Sequence, residues 1–291
     1  MNLAEERRLL VVHAHPDDEA SKTAGTVATY ADQGVRCVLI TATGGEEGEV
    51  LNPVLDQPET QARLAEIRRE ELDASVRILG YTGLVLLGYR DSGMPDSEAN
   101  ARPDAFVNID ENEVVGRLVE IIRTEKPQVI LGYDDHRHYQ HPDHLRVHVT
   151  AIAAFEAAGD PDAFPEAGPI WEPARLYAPK FSRAAISRMH DALIDLGEES
   201  PFDRFLDGWD PAQVEPIHAR IKLTAETLNR ARMALRAHAT QVDPNGFWFK
   251  VPPDLVLELN PYEEYELLAA RVPQPDPVVD DLFAGLDERH I

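Results

Sequence analysis

Arg8-Leu9-Leu10-Val11-Val12-His13-Ala14-His15-Pro16-Asp17-Asp18-Glu19 (residues 8–19) passes from an unbroken apolar run into polar chemistry within four positions. Leu9 to Val12 has no polar alternation, so the run over Arg8 to Ala14 reads as a strand buried on both faces. Pro16 suits the first position of a helix, where its missing N–H costs nothing. The stretch therefore reads as strand, tight turn, helix, with two imidazoles and two carboxylates gathered on the turn.

The same alternation continues downstream. The pattern predicts a helix over 19–33 stopped by Gly34, a second buried strand over 35–43, and a polar Gly-bearing loop over 44–58. A charged helix follows over 59–80, then a third strand over 84–87 and an irregular polar stretch over 91–110. A helix over 111–126 carries Val114, Leu118, Ile121 and Ile122 on one face, and a fourth strand over 128–132 precedes a helix over 143–158. Continuously apolar strands alternating with helices indicate an α/β, Rossmann-like fold, with a mostly parallel sheet covered by helices on both faces. In such sheets ligands bind beyond the carboxyl ends of the strands.

After residue 158 the pattern loosens. A strand over 176–181 and helices over 183–196 and 217–238 are expected, and the tail from Pro252 is rich in Pro and acid, with an end that reads as disordered. The expected organisation is a catalytic core over 1–180 and an α-rich C-terminal extension over 181–291, packed on the core as a single structural unit.

Composition narrows the function. The 291 residues carry 28 Lys plus Arg against 52 Asp plus Glu, a formal net charge of -24. So acidic a chain repels nucleic acid and anionic lipid, which argues against both as partners. A lone cysteine, Cys37, excludes an intrachain disulfide and a four-thiolate zinc site, and its apolar neighbours make it a core residue. No apolar run reaches the ~18 residues of a membrane span, and the N-terminal stretch lacks a signal-peptide cleavage region. A cytoplasmic enzyme is expected, with a homo-oligomer left open.

Two clusters carry the chemistry. In the first, a strand-to-helix turn aims His15 and Asp18 at one point, and imidazole nitrogen with carboxylate oxygen is a ligand set that zinc accepts. Asp17, between them, is placed to approach water at the metal. The alternative is that Asp17 or Asp18 merely caps the helix. His13 lies in the strand and reads as a core or supporting histidine rather than a ligand. The second cluster spans Asp134 to His148 and holds five of the eleven histidines. His144 is the third ligand candidate. Three protein ligands leave one position open, the catalytic arrangement. His141 is placed as general acid or oxyanion stabiliser and Tyr139 as a second hydrogen-bond donor. Asp143 either caps the following helix or orients a ligand histidine; His136, His138 and His148 read as solvated or structural.

One Zn2+ per chain would lower the pKa of water from 15.7 towards ~7. Asp17 would take its proton during attack on an amide carbon, and the leaving amine would take one from Asp17 or His141. Gly44 to Glu49 holds three carboxylates and no lysine, so it reads as a hydroxyl-binding or lid loop rather than a phosphate cradle. Asp91, after the third strand, could accept sugar hydroxyls or simply form a turn. No Gly-x-Gly-x-x-Gly follows the first strand, which disfavours a dinucleotide-dependent dehydrogenase.

The pair AHPDDE at 14–19 and HPDH at 141–144 resembles the LmbE-like, PIG-L-type de-N-acetylase superfamily, zinc enzymes of Rossmann-like fold that act on N-acyl amino sugars. TGGEEGEVLNP at 43–53, YRDSGMP at 89–95, PFDRFLDGWDP at 201–211 and LRAHATQVDP at 235–244 are most similar to its mycothiol branch, the S-conjugate amidases and the GlcNAc-inositol deacetylases. That resemblance implies His15, Asp18 and His144 as zinc ligands, Asp17 as base, and His141 and Tyr139 as oxyanion and proton-donating groups. It also implies Lys22, Glu49, Arg68, Asp91 and His238 around the substrate, a small amino-sugar or pseudodisaccharide amide. Arg137-His138 stands where the family usually carries Gly-Gly. A de-N-acetylase of antibiotic-pathway intermediates, and a non-enzymatic metal-binding module, are the rival readings.

Overall fold

The computed structural model describes residues 7–135, 139–210 and 214–286. Strand β1 (Arg8–His13) leads through helices α1 (Asp18–Lys22) and α2 (Ala24–Asp32) to β2 (Arg36–Thr43). Helices α3 (Pro58–Ala62) and α4 (Leu64–Leu79) connect to β3 (Gly83–Tyr89). Helix α5 (Glu111–Glu125) precedes β4 (Val129–Leu131), and α6 (Pro142–Ala158) precedes β5 (Arg175–Lys180). Then come α7 (Arg183–Asp195), α8 (Asp203–Asp207), β6 (Ala219–Lys222), α9 (Ala225–Ala237), α10 (Pro253–Leu259) and β7 (Tyr262–Ala270).

The strands form one seven-stranded sheet in the order β3-β2-β1-β4-β5-β7-β6. The first five are parallel, as expected. Alternate residues of β1 and β2 serve opposite layers, the period-two consequence of a strand. Leu9, Val11, Cys37 and Leu39 join a core with α2, α4 and α9, while Leu10, Val12, Val38 and Ile40 join one with α5 and α6. Strand order reverses between β1 and β4, which places a crevice outside their carboxyl ends. Both histidine clusters follow those two strands.

Three expectations need revision. The helix over 19–33 is broken at Thr23, and Gly34 does stand at its end with φ 81. The break has a distant cause: the Glu263 carboxylate accepts from Gly25 N and Thr26 N, both at 2.8 Å, and so caps a new helix start. The helix over 217–238 begins instead as β6, with Ala219 and Ile221 inward and Arg220 and Lys222 outward. Helix α9 starts only after Thr224, which forms a capping box with Thr227. The sequence pattern places no strand in the tail from Pro252, and the tail carries one. Strand β7 lies antiparallel to both β5 and β6, so the C-terminal part contributes two strands to the sheet as well as helices. The last five residues, 287–291, where a disordered end was expected, lie outside the described residues. Among the described residues no helix is long and apolar enough to cross a membrane.

Candidate active site

The turn after β1 is strained. Asp17 occupies φ 112, ψ -25 and makes no side-chain cap bond, so the capping alternative fails for it. Such a conformation in a non-glycine residue costs of order 1–3 kcal/mol and persists only where its surroundings hold it. Here it sends the Asp18 carboxylate back under His15, whose backbone N donates to Asp18 Oδ2 at 2.9 Å.

His144, on the first turn of α6, meets that pair from across the crevice. His144 Nε2 lies 3.2 Å from His15 Nδ1 and 3.3 Å from Asp18 Oδ2, and His15 Nδ1 lies 3.4 Å from Asp18 Oδ2. A tetrahedral zinc with bonds of 2.0–2.1 Å sets its ligand atoms about 3.3–3.4 Å apart. These three atoms match one face of such a tetrahedron, and a ring nitrogen of His141 also lies within 4.8 Å of those of His15 and His144. The donor types and spacing therefore fit a zinc ion.

The supporting contacts sort the remaining groups. His15 Nε2 lies 3.1 Å from Asp143 Oδ2 and 3.7 Å from Asp91 Oδ1. His15, Asp91 and Asp143 could themselves be read as a cation cluster. However, Asp143 Oδ2 and Asp91 Oδ1 each also accept a backbone N–H, from Ser92 at 3.0 Å and Gly93 at 2.8 Å. Asp143 Oδ2 is within hydrogen-bond reach of Nε2, Asp91 stands just beyond it, and together they turn Nδ1 toward Asp18 and His144. Asp143 thus orients a histidine; the cap of α6 is His141, whose Nδ1 accepts from Asp143 N at 3.2 Å. Lys22 Nζ holds the other Asp18 oxygen at 2.7 Å.

Charge follows geometry. Burial opposes a charge on His15, but the carboxylates of Asp143, Asp18 and Asp91 around the ring outweigh it and lift the imidazole well above its usual value. The same surroundings hold Asp18 well below the usual carboxylate range, through His144 and Lys22 against the effect of burial. Burial pushes the Asp17 carboxyl up, and Arg68 offsets part of that. Burial and the His15 charge bring His141 down to about 4.

Every candidate residue except His238 lines one cavity of about 970 Å3. His15 and His141 meet edge-on at 4.5 Å between ring centroids, and Tyr139 lies 6.2 Å from His141 with half its surface exposed. Glu49 is exposed on the rim. Arg68 is buried, with Nη2 3.2 Å from Asp17 Oδ2 and further bonds to the carbonyls of Gly45 and Pro16. His238 is fully buried behind the turn, 2.6 Å from Glu19. His13 packs in the core against Thr23 and Tyr133, and His148 bonds the Tyr133 carbonyl at 2.8 Å. His136, Arg137 and His138 lie outside the described residues.

Sequence reading missed several groups. Tyr133 stacks on His144 at 4.4 Å and accepts from Ala14 N through its hydroxyl; its place directly after β4 was the available signal. Lys180 bridges Asp134 at 2.7 Å and Glu266 at 2.9 Å at the cavity edge. An apolar wall of Phe181, Ile186, Met189, Phe202, Phe205 and Trp209 comes from the C-terminal part; the last three lie in the PFDRFLDGWDP stretch, but nothing local says that they face the cavity.

Residues 10–155 match the model of the GlcNAc-PI de-N-acetylase (PIG-L) family. The chain is 40% identical to a mycothiol S-conjugate amidase from Streptomyces coelicolor, covering 98% of this chain and 99% of that one. It is 41% identical to a 1D-myo-inositol 2-acetamido-2-deoxy-alpha-D-glucopyranoside deacetylase from Geodermatophilus obscurus, covering 96% and 98%. Its fold is similar to that of N,N'-diacetylchitobiose deacetylase from Pyrococcus horikoshii, with TM-score 0.62 at 20% identity over 91% of this chain and 84% of that one. It is also similar to the A40926 pseudoaglycone deacetylase, with TM-score 0.56 at 17% identity over 90% and 97%.

Proposed function

The chain belongs to the GlcNAc-PI de-N-acetylase (PIG-L) family and is thereby an amide hydrolase, and we propose that it hydrolyses an N-acyl bond on an amino-sugar-type substrate with one zinc ion held by His15, Asp18 and His144. The observation that carries this reading is the triangle of His15 Nδ1, Asp18 Oδ2 and His144 Nε2, with sides of 3.2–3.4 Å, at the crevice between β1 and β4.

The ion, when bound, supplies a Lewis acid that acidifies water and polarises the amide carbonyl. Asp17 accepts the proton of the attacking water, its carboxylate steered by Arg68 at 3.2 Å. His141 and Tyr139 donate to the oxyanion that develops on the carbonyl. The departing amine takes its proton from Asp17 or His141. Asp91, Glu49 and Lys22 line the same cavity, and in this reading they are the groups offered to sugar hydroxyls.

The apolar wall favours a substrate that carries a bulky apolar group beside the amide. An S-conjugated thiol amide, or an apolar natural-product amide, fills that space better than a bare GlcNAc-inositol does. Elemental analysis together with side-by-side assays of an aromatic mycothiol S-conjugate and GlcNAc-inositol tests both parts. One zinc per chain and a kcat/KM some ~10–200-fold higher for the conjugate are expected; a metal-free active enzyme would refute the first part, and equal kcat/KM the second. Asp17→Asn should retain zinc and lose about 10²–10⁴ in kcat, and full activity would remove Asp17 as base.

A further inference from the structure

Asp17 stands in a backbone conformation that needs outside support, and its neighbour Glu19 is bonded to a residue at the end of helix α9. The Asp17 backbone N–H donates to Glu19 Oε2 at 3.0 Å. The other Glu19 oxygen accepts from His238 Nε2 at 2.6 Å and from the Ser75 hydroxyl of α4. Glu19 and His238 are both 0% exposed, so no substrate touches either. His238 closes α9, and the segment after it is tied to α4 as well: Thr240 N and Oγ1 donate to the Glu71 carboxylate at 2.8 and 2.7 Å.

We propose that Glu19 and His238 are a positioning pair, which locks the Asp17 turn by joining it to the C-terminal helix α9. The proposal rests on the reading of Asp17 as the base. A carboxylate with two acceptor oxygens is required because it must serve the turn on one side and α9 on the other. A buried carboxylate in turn needs charge-assisted donors, which His238 and Ser75 supply. Without them Glu19 has reason to seek water, and the Asp17 N–H loses its acceptor. The carboxylate of Asp17 then wanders from the reacting water, while the ligand triangle, held by Lys22 and Asp143, stays formed. The C-terminal part of the chain therefore acts on the base as well as shaping the cavity wall.

The test uses the zinc-loaded full chain with His238→Ala, His238→Gln and Glu19→Gln, and reads amide hydrogen exchange at Asp17, zinc content, and kcat and KM separately. His238→Ala should speed exchange at Asp17 about tenfold or more, lower kcat about 10–100-fold, and leave KM and zinc content unchanged. His238→Gln places an amide N–H near the lost Nε2 donor and should recover most of both losses. Glu19→Gln keeps the size but removes one acceptor, and should move exchange and kcat in the same direction as His238→Ala. A folded His238→Ala chain with wild-type exchange at Asp17 and wild-type kcat overturns the proposal, as does a loss confined to KM. Should His238→Ala fail to fold, wild-type exchange and kcat in Glu19→Gln overturn it equally. If instead Asp17→Asn is fully active, the base reading fails, while exchange at Asp17 still decides whether the pair holds the turn.

Discussion

His15 Nε2 and Asp143 Oδ2 lie 3.1 Å apart, although 128 positions separate the residues in the chain. The contact fixes how the His15 ring is turned: Nε2 faces the Asp143 carboxylate, and Nδ1 faces Asp18 and His144, where a bound cation would take its lone pair. Replacing Asp143 by Ala should therefore weaken zinc binding about 10–100-fold without removing any ligand. Competition with a chromogenic chelator measures this, and an unchanged affinity would mean that Asp91 alone orients the ring.

Metal removal should destabilise the fold as well as stop turnover. Three carboxylates, Asp18, Asp91 and Asp143, converge on one buried imidazole, and a divalent cation relieves that excess of negative charge. At free zinc a thousandfold above its Kd the gain is about 4 kcal/mol. Thermal melts with and without chelator should differ by several degrees and recover on adding zinc; coincident melts would show that the cluster holds no ion.

Gly45 should tolerate no side chain. Its φ is +67, and a Cβ there would sit 2.4 Å from the Arg68 guanidinium carbon. Arg68 cannot easily yield, since the same guanidinium bonds Pro16 O, Gly45 O and Asp17 Oδ2. Gly45→Ala should cost about 1–3 kcal/mol and lower kcat through the displaced Arg68. Denaturant melts and kinetics read the two effects, and a variant as stable and active as the parent would show that Arg68 moves freely.

The single thiol should be silent in the native chain. Burial pushes Cys37 up to about 12, so at pH 8 almost none is thiolate, and the side chain is 0% exposed between the sheet and α4. A disulfide reagent should react only after denaturant is added. Rapid native labelling would place Cys37 outside the core.

Much of the architecture was legible because it is local. The apolar run at 8–14 needed both faces covered, the helices declared themselves by period, and the motifs sat directly after the strands that aim them. What sequence reading got wrong is non-local. The kink at Thr23 comes from Glu263, and β6 is too short for a period-two pattern to compete with the helix that follows it. His238 stood in a suggestive motif, and its purpose appears only where it meets Glu19, 219 positions away.

The amino-acid order alone determined the chemistry on offer: imidazoles and carboxylates on two turns, on an acidic chain with one thiol and a parallel sheet to carry them. Tertiary structure decided which nitrogen and which oxygen meet, how far apart they stand, and that His238 meets Glu19 beside the Asp17 turn. The reason is that hydrogen-bonding periods and residue types are properties of neighbours along the chain, whereas a 3 Å approach between distant segments depends on the packing of every layer between them.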